Sequence, residues 1–592
     1  VLNIFQNFKE IFSQTLLQLA HENGIEISEK DLKNFTVEPT KEKSHGDLAC
    51  NIAMVTSKKF SAVESLNNPK KLAQEIVSKI KHDDISKTEI AGPGFINVFL
   101  KTQLFYKVVF ELLSEKKFQF PNLGNSQKIN LEYASPNPTG PIHVGHTRGA
   151  IYGDVLANLL QKVGYDVLKE YYINDAGSQI ITLLKSAYLR YLQACGKNVA
   201  IPEGLYPGAY LIEVGEKLKA KFGKNLIEKS EEEYLAEIRD FVVDSMVEMI
   251  KADLLALGIK HDSYFSEKKN LHDTKKIDKA IEALRAKNLI YEGKLEIPKT
   301  EKGVGANVPE GYDERDQTLF RSTLFGDDQD RVVKKFDKTP TYFAADLAYI
   351  SSKFERGATT FIMPLGYDHA GYVKRLNAAV EALTDKQAQL KVILCQMVKF
   401  VKNGEPLKMS KRAGNFITAR EVIDEVGADA LRFIMLTRKN DAPFDFDLAK
   451  VIEQSKDNPI FYVQYAHARS CSVLRQAQKV VSRQSSVVSL EDLEKLGDES
   501  EINLIKKIVE FPRIIEMAAV NFEPHRIAFY LQELAAEFHA LWNKGTENPD
   551  LKFIIRENLQ VTQARIYLVS VLQKIIAEGL AIFNIKAVEE MR

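Results

Sequence analysis

The residues best suited to do chemistry lie in the run Ser135-Pro136-Asn137-Pro138-Thr139-Gly140-Pro141-Ile142-His143-Val144-Gly145-His146. Its three prolines and two glycines set a rigid loop where open α/β sheets bind ligands, at the carboxyl end of a strand. His143 and His146, three residues apart on a first helical turn, project from one face at a helix amino terminus, a place that favours phosphate. Gly145 between them has no side chain, so a flat adenine or ribose can pack on the backbone. Two helical histidines are more often core or capping residues, but the flanking prolines, the glycine and the preceding strand argue for the phosphate role here. Zinc is the other rival; helical zinc histidines usually stand four apart with a glutamate between them, a pattern missing here.

A second candidate lies far along the chain, in Lys408-Met409-Ser410-Lys411-Arg412, flanked by Gly404 and Gly414. Three cations on a glycine-flanked loop suit a triphosphate whose α-phosphorus is under attack, because charge accumulates there and must be neutralised. Taken alone, such a run is commonly a solvated basic loop, and its specificity comes from pairing with the histidine loop.

The elements that must position these loops follow from periodicity. Residues 128–133 read as a short strand feeding the proline loop, and a helical pattern runs from near His143 towards Gly164. Strand, loop and helix make half of a nucleotide-binding βαβ unit. Further strands are expected at 167–172, 359–364 and 389–397, separated by helical runs such as 234–257, which argues for a doubly wound parallel sheet. Ahead of it, residues 1–101 mix amphipathic helices with strands and end in a glycine-proline turn and alternating apolar residues at 91–100, read as a hairpin strand. Behind it, residues 458–483, 501–520, 525–542 and 560–577 are long amphipathic helical segments without strand signals, an all-helical bundle. Residues 118–127 suggest a linker and 480–489 a solvated loop. The fold class expected is α/β, a Rossmann-like sheet domain at 119–447 with an α+β domain at 1–118 and an all-α bundle at 448–592.

Bulk properties permit this division. A chain of 592 residues exceeds one compact core, and 45% hydrophobic residues suffice for a core in each unit. With 80 basic residues against 80 acidic ones, a polyanionic partner must meet a local basic patch, not a globally positive body. Cys50, Cys195, Cys395 and Cys471 lack the paired spacing of a zinc site or disulfide framework, so free thiols in a reducing cytosol are expected. No spanning helix or export signal is expected either.

The pair His143-Val144-Gly145-His146 and Lys408-Met409-Ser410-Lys411-Arg412 resembles the two signature motifs of class I aminoacyl-tRNA synthetases, departing from the usual pattern at Val144 and Arg412. Wider blocks are similar to arginyl-tRNA synthetases of the bacterial type: residues 132–140, Tyr172-Ile173-Asn174-Asp175-Ala176-Gly177, Gly366-Tyr367-Asp368-His369, Gly427-Ala428-Asp429-Ala430-Leu431-Arg432 and Gly92-Pro93-Gly94-Phe95-Ile96-Asn97. The resemblance implies an arginine–tRNA ligase that uses MgATP, forms arginyl-adenylate and loads the 3′ end of tRNA(Arg). It implies catalytic roles for His143, His146, Lys408 and Lys411, and an ATP site that also includes Pro138, Thr139, Gly140, Gly145, Asp368, His369, Met409, Ser410 and Arg412.

The physics of the substrate gives a separate check, because a guanidinium carries five donors and a fixed charge and so calls for carboxylates and a hydroxyl. Tyr342 and Asp346 offer both at i and i+4, on one face if helical. By resemblance they hold the guanidinium together with Glu267, while Glu132, Ser135 and Asn137 serve the rest of arginine. Asn174, Asp175 and Gln179 either join that pocket or brace it.

By resemblance the bundle reads the anticodon. His467, Arg469, Arg475, Lys479, Arg483, Arg513, Arg526 and Arg565 are its candidate phosphate contacts, with Tyr462, Tyr465 and Trp542 as stacking platforms; the first hundred residues meet the outer corner of the tRNA. Activation is expected to wait for bound tRNA. No structural zinc, no membrane contact, a monomer and a cytoplasmic location complete the expectations. The rivals are a small-molecule adenylyltransferase, which needs no helical bundle, and an idle RNA-binding scaffold, which needs neither signature motif.

Overall fold

A computed structural model describes residues 3–115, 118–295, 312–406, 417–453, 455, 457–480 and 489–591. At its centre is a five-stranded sheet in the order Gln389–Cys395, Thr360–Gly366, Lys128–Glu132, Asp166–Ile173, Ser263–Ser266, with every pair parallel. The chain begins in the middle strand, winds outward through Asp166–Ile173 to Ser263–Ser266, and returns to build the opposite side. The two directions of winding therefore part between Lys128–Glu132 and Thr360–Gly366. Loops leaving the carboxyl ends of those two strands diverge there, which is where open α/β sheets leave a crevice for ligands.

Strand burial explains why these segments pair centrally. Ile129 and Leu131 are enclosed, as are Phe361 and Ile362, the near-continuous apolar pattern of a sheet covered on both faces. Helix Thr147–Lys162 packs on one face through Ile151, Val155 and Leu159, while Tyr342–Glu355 and Val373–Thr384 cover the other with Leu347, Ala348 and Leu376. Expected strands at 128–133, 167–172, 359–364 and 389–397 all have observed counterparts. Ser263–Ser266 forms a fifth, an edge strand too short to carry a clear period.

The amino-terminal unit is a four-stranded antiparallel sheet backed by helices Ile4–Glu22 and Pro69–Lys79. Its hairpin joins Ile85–Ala91 to Phe95–Leu100. Gly94 has φ +140°, and a Cβ there would lie 2.8 Å from the Pro69 carbonyl oxygen, so the turn needs glycine for space as well as conformation. The following helix Thr102–Ser114 leans on the carboxyl-terminal bundle: Tyr106 donates to the Leu496 carbonyl and Lys574 donates to Leu112 at 3.0 Å.

In the bundle, Pro459–Ala477, His525–Glu547 and Leu559–Ile582 follow the expected segments. The single helix expected over 501–520 is two, Glu499–Val509 and Phe511–Val520. Pro512 has no N–H to continue the ladder and its ring crowds the carbonyl four residues earlier, so the helix restarts there. Two small three-stranded sheets were also not foreseen: Ile290–Gly293 with Gln317–Phe320 and Arg331–Lys334, and Val398–Lys402 with Glu405–Pro406 and Phe444–Asp447. Among the described residues no helix is long and apolar enough to cross a membrane. The expected loop at 480–489 falls almost wholly outside the described residues.

Candidate active site

The proline loop leaves the carboxyl end of the middle strand, on one side of the switch point. After Glu132, Ala134 turns the chain with φ +53°. The loop is then tied to the next strand: Tyr172 N–H donates to Ser135 Oγ at 3.0 Å and the Tyr171 hydroxyl to the Pro136 carbonyl at 2.5 Å. Asn137 donates to Gln179 Oε1 at 2.9 Å. Pro138, Thr139 and Gly140 form the buried leg of the loop. The Tyr210 hydroxyl donates to the Thr139 carbonyl at 2.7 Å, and a Cβ on Gly140 would come within 2.8 Å of that ring.

His143 and His146 do come together, with ring centroids 5.9 Å apart and planes at 72°. The turn that carries them is a short 3₁₀ segment, Val144–His146, ahead of the α-helix Thr147–Lys162. His143 Nδ1 accepts from Gly145 N–H at 2.9 Å, which fixes the ring and leaves Nε2 as its other nitrogen. A Cβ at position 145 would lie 2.9 Å from that same Nδ1. A side chain there would push the His143 ring out of its bond to the Gly145 N–H, a reason for glycine in addition to the ligand approach expected from sequence.

The second signature, Lys408, Met409, Ser410, Lys411 and Arg412, lies outside the described residues. Both of its flanks are described. On the carboxyl side, Val144 N–H donates to the Ile417 carbonyl at 3.1 Å and Ala419 N–H to the Ile142 carbonyl at 2.8 Å, a short antiparallel bridge through His143 and Thr418. On the amino side, Val398–Lys402 and Glu405–Pro406 belong to the small sheet that follows Gln389–Cys395, an edge strand of the central sheet. The chain therefore returns to the histidine turn right after the basic motif. Asp368 and His369 sit in a 3₁₀ turn, Tyr367–Tyr372, at the end of Thr360–Gly366, exposed and 3.6 Å apart, on the other side of the crevice.

Beside this crevice is a cavity of 410 Å³ lined by Glu267, His272, Tyr342, Asp346, Tyr372 and Arg375, among others. Tyr342 and Asp346 share one face of helix Tyr342–Glu355, as their spacing predicts. Tyr342 stands 66% exposed, so it is not a core residue. Glu267 follows strand Ser263–Ser266 and opens a π-helical turn, Lys268–His272. The Tyr172 hydroxyl donates to its carboxylate and His272 Nε2 lies 3.1 Å from Oε1. The Asp346 carboxyl is pushed up to about 7, chiefly by burial and then by the negative charges of Glu132 and Glu267, with Arg375 and Lys353 only partly offsetting them. A site whose carboxyl resists ionising until a cation arrives is suited to a guanidinium.

Three expected residues sit differently from a direct contact. Glu132 does not line the cavity; it ion-pairs at 2.7 Å with Lys353, whose side chain is 1% exposed. Ser135 and Asn137 are engaged by Tyr172 and Gln179, as described above. Asp175 accepts from Ser266 Oγ at 2.6 Å and from Lys268 N–H at 2.8 Å, so it braces the turn that carries Glu267. Sequence reasoning missed His272, Arg375 and Lys353. Lys353 carried a usable signal, since it lies two turns from Asp346 on the same helix face; the other two are brought in by tertiary structure alone.

In the bundle, several candidate RNA contacts have structural partners. Arg565 pairs with buried Glu501 at 2.6 Å, His467 is 2.7 Å from the Val588 carbonyl, and Arg526 bonds Glu523 at 2.5 Å. Arg469 lies over the rings of Tyr465 and Trp542, 4.1 and 4.7 Å from their centroids.

Three protein families match consecutive parts of the chain: the arginyl tRNA synthetase N terminal domain over residues 6–100, the class I (R) tRNA synthetase catalytic domain over 108–471, and the DALR anticodon binding domain over 463–591. The chain belongs to the arginyl-tRNA synthetase family. Curated arginine–tRNA ligases of Brucella canis and Brucella melitensis are 50% and 49% identical to it, each aligned over the whole of both chains. The arginyl-tRNA synthetase structure from Thermus thermophilus shares the fold, with a TM-score of 0.72 over the whole of both chains at 20% identity. The catalytic-domain match takes in both signature motifs, the cavity and helix Tyr342–Glu355 of this arginyl-tRNA synthetase family member.

Proposed function

We propose how the residues of this chain divide the work of arginine–tRNA ligation. Arginine is activated with ATP and then transferred to tRNA. In the first step an arginine carboxylate oxygen attacks the α-phosphorus of MgATP; a P–O bond to the amino acid forms and pyrophosphate leaves. In the second, a terminal ribose hydroxyl of tRNA(Arg) attacks the carbonyl carbon and AMP leaves, the hydroxyl proton being lost. Magnesium enters with the nucleotide as part of the substrate.

His143 and His146 donate to phosphate oxygens of the nucleotide, and Lys408 and Lys411 with Arg412 neutralise its charge. Charge developing on phosphate in the transition state is what these groups act on. Pro138, Thr139, Gly140 and Gly145 shape the floor, with Asp368 and His369 on the adenosine side. Asp346, Glu267 and the Tyr342 hydroxyl hold the guanidinium. Glu132, Ser135 and Asn137 serve the amino-acid end of arginine from outside the cavity lining, Glu132 through its ion pair with Lys353, and Ser135 and Asn137 from a loop tied down by Tyr172 and Gln179. Residues 1–118, 119–447 and 448–592 serve as outer-corner tRNA contact, catalytic unit and anticodon-arm contact. The chain works in the cytoplasm as a monomer.

The observation that carries this reading is the juxtaposition at one switch point of a paired-histidine turn and a carboxylate-lined cavity. Its test is aminoacylation of total tRNA with each of the twenty amino acids. Arginine alone should be incorporated, and incorporation of another amino acid, or of none, would overturn it. ATP–pyrophosphate exchange run with and without tRNA decides whether activation waits for tRNA; exchange is expected only with it, and equal rates would refute that expectation.

A further inference from the structure

Arg148 is the second residue of helix Thr147–Lys162, two places after His146, and is 2% exposed. Its guanidinium makes three hydrogen bonds, all to main-chain carbonyls: Nη1 to Gln396 at 3.1 Å and to Ala442 at 2.9 Å, and Nη2 to Lys439 at 2.8 Å. The Phe444 ring lies 5.7 Å away. These carbonyls belong to the two connections from which the small sheet springs. Gln396 joins Gln389–Cys395 to Val398–Lys402, and residues 439–442 lead into Phe444–Asp447. The two connections are also bonded to each other, Gln396 N–H to the Asn440 carbonyl at 2.8 Å and Asn440 Nδ2 to the Leu394 carbonyl at 2.9 Å.

A buried cation is costly unless something specific is gained from it. Here the planar fork of a guanidinium holds three peptide groups in fixed directions from two nitrogens, whereas an ammonium presents its three donors from one rotatable nitrogen on a flexible stem. The sheet so held has Val398–Lys402 and Glu405–Pro406 as its last strands before the basic motif in the sequence. We infer that Arg148 is a positioning residue for the ATP-dependent step, fixing the small sheet against the histidine turn. It does not line the cavity of Asp346, so its effect should fall on nucleotide chemistry and not on arginine binding. The inference rests on the nucleotide reading of the histidine turn given above.

The test is ATP–pyrophosphate exchange by the full chain with saturating tRNA, comparing the wild type with Arg148→Lys, Asn440→Ala and the double variant. Misplacement of reacting groups by about 1 Å costs on the order of 100-fold, so Arg148→Lys should lose roughly 30- to 100-fold in turnover, with KM for arginine changed less than about twofold. Asn440→Ala should act in the same direction and less strongly, and the double variant should fall short of the product of the two losses, because both act through one clamp. Wild-type turnover in Arg148→Lys, or a loss that appears equally in arginine KM and melting temperature, would overturn the inference, as would strictly multiplicative losses. Absence of arginine-dependent exchange in the wild type would instead overturn the functional reading and leave the clamp itself a matter of structure. Should Arg148→Lys not fold, Asn440→Ala alone decides: it must lower turnover without raising arginine KM.

Discussion

The cavity of Asp346 and the histidine turn lie side by side but are built on different principles. Around the cavity, side-chain charges are held by other side chains: Glu132 by Lys353 at 2.7 Å, Glu267 by Tyr172 and His272, and Asp346 under the influence of both carboxylates. Beneath it, Glu170 continues the pattern, since burial alone would raise its carboxyl, yet Arg356 and Lys353 hold it down at about 2. The histidine turn is held by bonds that each involve a main-chain group: Val144 N–H to the Ile417 carbonyl and Ala419 N–H to the Ile142 carbonyl are main chain on both sides, while Gly145 N–H to His143 Nδ1 and Arg148 to three carbonyls are main chain on one. A charge-built pocket selects by sign and answers to pH, whereas a backbone-built turn selects by position.

Removing one member of a buried pair should separate the two regions most sharply. Lys353→Met leaves Glu132 buried without its counter-charge and should cost about 3–5 kcal/mol of stability, measured by urea unfolding; a change within about 1 kcal/mol would mean that Glu132 is relaxed by other groups. On the backbone-built side, His146→Ala should lower turnover about 100-fold or more, the size seen when a preorganised donor to developing charge is lost, with little change in arginine KM. Equal losses in kcat/KM through KM alone would assign His146 to ground-state binding.

Asp346→Asn should show the reverse split. A hydrogen bond to a charged group is worth about 1.5–3 kcal/mol, so arginine KM should rise roughly 10- to 100-fold while ATP KM stays close to the wild type. Parallel rises in both constants would break the distinction between the two regions. The smallest effect is the pH response. Asp346 has a folded-state value of about 7, above the ordinary value near 4. Its contribution to stability is therefore full below about pH 4 and is lost as pH rises through 7. Bound guanidinium favours the ionised form, so arginine should bind several-fold more tightly at about pH 8 than at about pH 6, read by calorimetry. The same slope in Asp346→Asn would assign the titration to another group.

Much of this was legible in the chain. The strand at 128–133, the proline loop and the helix after it have local signatures, and Tyr342 and Asp346 share a face because helical spacing makes them do so. The break at Pro512 was equally local, and the run 501–520 hides it because the apolar period continues across the proline. Other features had no local trace. Glu267 is a pocket residue only because Ser263–Ser266 pairs as the outer strand and Asp175, 92 positions earlier in the chain, braces the turn after it. Arg565 and His467 look like free cations on helices, and their partners, Glu501 and the Val588 carbonyl, are far away in sequence.

The sequence by itself determined which elements form and which side chains share a helix or strand face, because periods of 3.6 and 2 residues are local properties of the backbone. Tertiary structure alone decided which charges face the cavity, which are spent on holding others, and that the histidine turn is clamped to the small sheet. Those outcomes depend on contacts between residues tens to hundreds of positions apart, and on burial, which sets the cost of every charge that ends up inside.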